Sequence, residues 1–247
     1  MAEKSAILDY YRSRVKPHKS TVDQFMTKSS QVAKNLDVPL TDLLAVMDSE
    51  SGLDSRIQNT SHPVNSGYAT GLIQFIPSTA GMLIHGKNYN PKEDASNNYK
   101  VGREATEKLK SMSSVEQLDY VEKYFKPFIS KLNSYADLYM VTFFPLATGR
   151  PNDFVLEAKN IPSAKLAKAN PIFDLNKDNK ITVGEIKEAF LKRIPSQFRA
   201  DFEKGTGAVV ETITETKRYA KRNWIPLTFV AIGTLGLIYV AVKYSKT

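Results

Sequence analysis

From Ile225 to Val242 the chain reads IPLTFVAIGTLGLIYVAV, eighteen residues without a formal charge. A helix rising about 1.5 Å per residue needs roughly 17–25 apolar residues to cross a hydrocarbon layer of about 30 Å, so this run predicts one transmembrane helix over 224–243. Pro226 falls in the first turn, where a missing N–H costs nothing, and Trp224, Tyr239 and Tyr244 suit the interfacial belts. A buried core helix is the competing reading, and the basic flanks weigh against it. Gly233 and Gly236 are separated by two residues, not three, so no GxxxG pairing motif is present.

Lys217, Arg218, Lys221 and Arg222 precede the run, and only Lys243 and Lys246 follow it. The positive-inside rule then places residues 1–222 on the cytoplasmic side of the producing cell's membrane, and the same cluster suits anionic lipid head groups. The first twenty residues contain no apolar run resembling a signal peptide, which agrees with that orientation. The net charge of +8 comes from 34 Lys and Arg against 26 Asp and Glu, and half of it lies in residues 196–247. The remainder forms a mixed surface with no stripe of one sign, so no nucleic-acid partner is expected. The absence of cysteine excludes thiolate nucleophiles, disulfides and Cys-ligated metal centres.

Residues Asp174 to Glu185, DLNKDNKITVGE, match the twelve-position EF-hand loop pattern. Oxygen donors fall at Asp174, Asn176, Asp178, the Lys180 carbonyl, Thr182 and Glu185, a spacing that wraps chain around a hard cation such as Ca2+. Ile181 takes the apolar eighth position. Asn179 stands where glycine is usual, and asparagine is the next most tolerant of positive φ. Val183 to Arg193 reads as the exit helix, and Pro171 leaves room for a short entering segment only. A single loop of this kind is expected to be a structural calcium staple rather than a sensor, with a metal-free Asx-rich turn as the other reading.

Residues 39–54, PLTDLLAVMDSESGLD, predict a helix with Thr41 as N-cap and Gly52 as the residue that stops it. At about 100° per residue, Leu43, Val46, Met47 and Glu50 share one stripe, so a carboxyl group is placed on the core-facing side. Burial and the negative helix end both disfavour its charged form, which suits a general acid acting on a glycosidic oxygen. A structurally hydrogen-bonded Glu fits the helix geometry equally well.

Glu50-Ser51 is followed by Gly71-Leu-Ile-Gln74, by Pro77-Ser-Thr-Ala80, and by Asn98 to Gly102 at a helix start. In that order these motifs resemble the soluble lytic transglycosylase and goose-type lysozyme superfamily over roughly residues 20–150, with Ile73 in place of the family's Met. The resemblance implies a lysozyme-like, mainly helical fold that cleaves the β-1,4 bond between N-acetylmuramic acid and N-acetylglucosamine. It makes Glu50 the single catalytic acid and base, with no cofactor needed for catalysis. Ser51 and Gln74 would line the saccharide cleft, and Gly71 would let backbone approach sugar. Pro77, Thr79 and Ala80 read as an ordinary helix start.

The chain departs from the family where a Tyr-Asn pair is usual near the cleft, offering Phe143-Phe144-Pro145 instead. Tyr68 and Tyr139 are the candidates to replace the missing phenol, and Phe144 is expected at the cleft wall. The loop 54–66 is longer than usual and contains His62, which is expected at the surface. Inverting hydrolysis would need a second carboxylate roughly 6.5–9.5 Å from the first, for which Asp54 is the nearest in sequence.

The expected architecture is therefore mainly α. A lysozyme-like transglycosylase domain occupies residues 1–150, an EF-hand-like calcium module 151–195, a basic linker 196–223 and a transmembrane helix 224–243. Peptidoglycan and a lipid membrane are the expected partners. A cytoplasmic catalytic domain and an extracytoplasmic substrate are reconciled if the protein is a single-pass component of the virion membrane of a lipid-containing bacteriophage, beside other virion proteins. A non-catalytic virion membrane protein that keeps a lysozyme-like fold is the alternative.

Overall fold

Capping side chains open several of the helices in this chain. The computed structural model describes residues 2–61, 63–157, 162–203, 229–231 and 240–242. Thr21 and Gln24 form a capping box that opens α2 (Val22–Asn35), after α1 (Ala2–Arg14), and Ser113 and Glu116 do the same for α7 (Ser114–Phe125). In each box the hydroxyl accepts from the N3 amide while the N3 side chain accepts from the cap amide, satisfying two donors that a helix start leaves free. Among the described residues the fold is mainly helical, as expected, and it divides into two compact units, Met1–Lys126 and Pro127–Thr247.

In the first unit α3 (Leu40–Ser51) packs against both α1 and α2. Leu43, Leu44, Ala45, Val46 and Met47 are all buried, so α3 is a core helix enclosed on most sides rather than one with a single apolar stripe. Gly52 ends it in the left-handed region (φ 61°, ψ 32°), its N–H bonding to the Asp48 carbonyl at 2.8 Å, as the sequence predicts. The N-cap differs from expectation. Pro39 holds that position without a side-chain cap, and the Thr41 hydroxyl turns instead to Asp42 Oδ1 at 3.3 Å. The carbonyl of Pro39 already accepts from the Asp42 and Leu43 amides, which places Thr41 inside the first turn.

After α3 a loop with isolated bridges, Gln58 to Thr70 and Thr70 to Phe75, leads to α4 (Pro77–His85), which starts with proline at its first position as expected. Then come α5 (Pro91–Ser96) and α6 (Lys100–Ser111), and α4 and α6 pack closely. A Cβ on Gly102 would stand 2.5 Å from the Pro77 carbonyl oxygen, so only glycine permits that approach. Buried Asp94 caps α6 by accepting from the Val101 and Gly102 amides at 2.8 and 2.9 Å, and it takes a third bond from the Tyr89 hydroxyl at 2.8 Å.

The second unit contains α8 (Tyr135–Phe143), α9 (Ser163–Ala169) and α10 (Val183–Leu191). Residues 127–150 belong to this unit, and α8 packs on α10 there. Tyr139 stacks on Phe190 with ring centroids 3.9 Å apart, and Phe143, Phe173 and Phe190 close an aromatic core by edge contacts.

Two short strands, β1 (Phe229–Ala231) and β2 (Val240–Val242), pair antiparallel with Phe229 opposite Val242. These six residues fall inside the run expected to be a transmembrane helix, and their backbone is extended, a conformation that suits β-branched Val230, Val240 and Val242. The rest of 224–243 lies outside the described residues, as do linker residues 204–223 and His62. Among the described residues no helix is long and apolar enough to cross a membrane.

Candidate active site

Glu50 occupies the last turn of α3 and is 6% exposed. The next residue, Ser51, is equally buried, and its hydroxyl lies 2.8 Å from the Met47 carbonyl within the helix and 3.0 Å from the Leu72 carbonyl outside it. The second contact ties the end of α3 to the turn 70–75. Ser51, expected to line the saccharide cleft, thus has its hydroxyl directed at protein backbone.

The turn is closed by paired bonds between Thr70 and Phe75, N–H to carbonyl at 3.0 and 2.8 Å. Both Gly71 (φ 79°) and Gln74 (φ 53°) take left-handed backbone to make it. Gln74 is buried, and its Nε2 donates to the Gly71 carbonyl at 3.1 Å and more weakly to Ile57 at 3.5 Å. The space a Cβ on Gly71 would need is filled by the Gln117 amide, whose Oε1 lies 2.3 Å from that point. On that side, Gly71 is therefore required by a protein neighbour.

The phenol beside Glu50 is that of Tyr124, on the last turn of α7. Burial, and after it the negative charge of Glu50, push its hydroxyl above the ordinary tyrosine range. Its ring meets Phe75 edge-on at 6.2 Å, so α7 reaches both Glu50 and the turn. The sequence candidates for this role stand otherwise. Tyr68 is 38% exposed on the loop before the turn. Tyr139 is buried in the second unit, where its hydroxyl accepts from Arg193, and Phe144 is buried in the same unit. Two further carboxylates near Glu50 in sequence are engaged by arginines: Asp48 accepts from Arg14 Nε at 2.7 Å, and Asp54 lies 3.8 Å from Arg56 Nε.

Sequence reasoning missed Gln117 and Tyr124. Their signal is a spacing of seven residues, which puts them on one face of α7 with buried Leu118 and Val121 between them. Nothing local connects that face with Glu50, which lies far away in the chain.

In the second unit the loop 174–185 carries its donors as hydrogen-bond acceptors. Glu185 accepts from the Leu175, Asn176 and Thr182 amides and from the Thr182 hydroxyl, and Asp174 accepts from the Asp178 and Asn179 amides. Asn176 and Asp178 accept from the amides of Asp178 and Lys180. Asn179 takes positive φ (64°), the property for which the sequence selected it. Ile181 pairs its backbone with Leu156, whose N–H meets the Ile181 carbonyl at 2.7 Å. Among the described residues no group of three or more His, Cys, Asp or Glu side chains is gathered as for a metal ion.

No curated protein and no solved structure matches the chain. A family model, the transglycosylase SLT domain, matches residues 28–119, a segment that contains Glu50, Ser51, Gly71, Gln74 and Gln117 and stops before Tyr124. That match supports kinship of this segment with the lytic transglycosylase and lysozyme-like superfamily, whose substrate is peptidoglycan.

Proposed function

We propose that the chain is a peptidoglycan lytic transglycosylase in which Glu50 is both acid and base. The observation that carries this reading is the setting of Glu50: a buried carboxyl group at the end of α3, tied through Ser51 to the turn bearing Gln74, inside the matched segment. Burial and the negative helix end favour the neutral acid there. In the proposed reaction Glu50 gives its proton to the glycosidic oxygen as the C1–O bond of N-acetylmuramic acid breaks. The resulting carboxylate then removes the proton of the 6-hydroxyl while that oxygen bonds to C1, which leaves a 1,6-anhydro sugar and regenerates the acid without consuming water. The Tyr124 phenol, near enough to feel the charge of Glu50, is the neighbouring polar group on this side.

A zymogram on purified peptidoglycan tests this directly. The wild type should clear it and Glu50→Gln should not, and mass analysis should find anhydro ends on the released sugars. Equal clearing by both proteins, or by neither, overturns the role of Glu50, and the second result would favour a non-catalytic structural protein. Ends carrying one added water would establish a hydrolase.

Two wider parts of the proposal rest on sequence. The uncharged run and its basic flank support a membrane anchor, and a lipid-containing phage virion reconciles a cytoplasmic catalytic domain with a wall substrate. Protease protection of the N-terminal part in purified particles tests that setting. The oxygen-rich loop 174–185 suits Ca2+, which would be held by Asp174, Asn176, Asp178, Lys180, Thr182 and Glu185 as a structural staple.

A further inference from the structure

The side-chain amide of Gln117 is fully buried, and each of its hydrogen-bonding groups is used. Its Oε1 accepts from the Leu72 amide at 2.7 Å, and its Nε2 donates to the Ser55 and Leu109 carbonyls, both at 2.9 Å. An amide offers two N–H donors, and both are engaged here. The backbone of Leu72 is thereby held on both sides, its N–H by Gln117 and its carbonyl by Ser51, the residue that follows Glu50. One side chain on α7 thus joins α6, the loop after α3, and the turn that docks on the end of α3.

We propose that Gln117 is a positioning residue for the Glu50 site, fixing the turn 71–74 against the end of α3 so that the carboxyl group and the turn meet the substrate as one rigid edge. This rests on the reading of Glu50 as the acid and base. A satisfied buried network allows one arrangement of its parts, whereas a partly satisfied one permits several. The contacts run from Gln117 through Leu72 to Ser51, the residue bonded to Glu50, and the one hydroxyl proton of Ser51 is shared by the Leu72 and Met47 carbonyls. A misplacement of about 1 Å at a reacting group costs roughly 100-fold in rate.

The test uses the full chain, soluble peptidoglycan fragments, and the variants Gln117→Leu, Gln117→Glu and Glu50→Gln. For Gln117→Leu the expected result is a kcat lower by about 10- to 100-fold with KM changed by less than about twofold, because the lost interaction orients the transition state rather than binding the sugar. The limb of the pH profile that reports Glu50 should shift as well. Gln117→Glu keeps an acceptor for the Leu72 amide and should recover part of kcat; if Gln117→Leu fails to fold, the lowered kcat and shifted limb of Gln117→Glu decide the matter. Variants that lose thermal stability yet keep the wild-type kcat and pH profile overturn the assignment and leave Gln117 as a core residue. If Glu50→Gln is inactive in that case, only the Gln117 assignment falls. If Glu50→Gln is fully active, the Glu50 reading falls and takes this inference with it.

Discussion

Replacing Gly71 by alanine tests the architecture around Glu50 without touching any functional group. Two costs are visible. The backbone at Gly71 has φ 79°, and a side chain in left-handed backbone costs about 1–2 kcal/mol. The added Cβ would also stand 2.3 Å from Oε1 of Gln117 and 2.8 Å from its Cδ and Nε2, so the whole amide must move. That movement breaks three buried hydrogen bonds, and each partner left unsatisfied costs about 1–3 kcal/mol. Because the losses share one side chain they do not simply add, and the total expected is about 3–5 kcal/mol. Gly52 supplies the control. It too is left-handed (φ 61°), but the nearest atom to a Cβ there is Lys16 Nζ at 4.0 Å. Gly52→Ala should therefore cost only the backbone strain, about 1–2 kcal/mol. Urea unfolding measures both through the shift of midpoint at constant slope. The double variant Gly71→Ala with Gln117→Ala should be less unstable than the sum of the single variants, since removing the amide makes room for the methyl group. Equal costs at Gly71 and Gly52, or strict additivity in the double variant, would refute the account of the turn.

Three other outcomes follow from the same structure. The Tyr124 phenol is raised by burial and by Glu50, so its contribution to stability is whole below the ordinary value near 10 and is lost as pH climbs through the folded value. Alkaline unfolding of the wild type should begin in that window, Tyr124→Phe should flatten it and lower kcat, and an unchanged alkaline limb would count against the placement. Lys131 runs the other way, because burial and then the charge of Arg150 lower it in the folded state. The unfolded chain holds that proton more tightly, so wild-type stability rises with pH toward the ordinary lysine value near 10.4. Lys131→Met should be more stable than the wild type at neutral pH and lack that rise; lower neutral stability would reverse the sign of the argument. Finally, EDTA should lower the Tm of the wild type and leave Asp174→Ala unaffected, whereas an EDTA effect of equal size in both proteins would move any calcium away from the loop 174–185.

Residues whose role is local could be read from the sequence. Gly52 stops α3 because a left-handed residue is needed there, Pro77 opens α4 because its missing N–H is harmless, and Asn179 turns the loop because asparagine tolerates positive φ. Thr41 shows the limit of the same reasoning, since a hydroxyl near a helix start caps it only if the chain enters one residue earlier, and Pro39 had already set the start. Periodicity likewise found the buried side of α3 and missed that α1 and α2 bury most of the rest, because a helix cannot announce how many neighbours it will have. The site shows the division most clearly. Glu50 and Gly71 each lie in a short motif, so both were legible, but what stands next to them comes from α7 and was not. Gly71 is legible for its backbone freedom, but the Gln117 amide that fills its Cβ side comes from a distant helix and is not. The phenol beside Glu50, Tyr124, was not legible either, because a tyrosine on the apolar face of a helix looks like core until the fold carries a carboxylate to it.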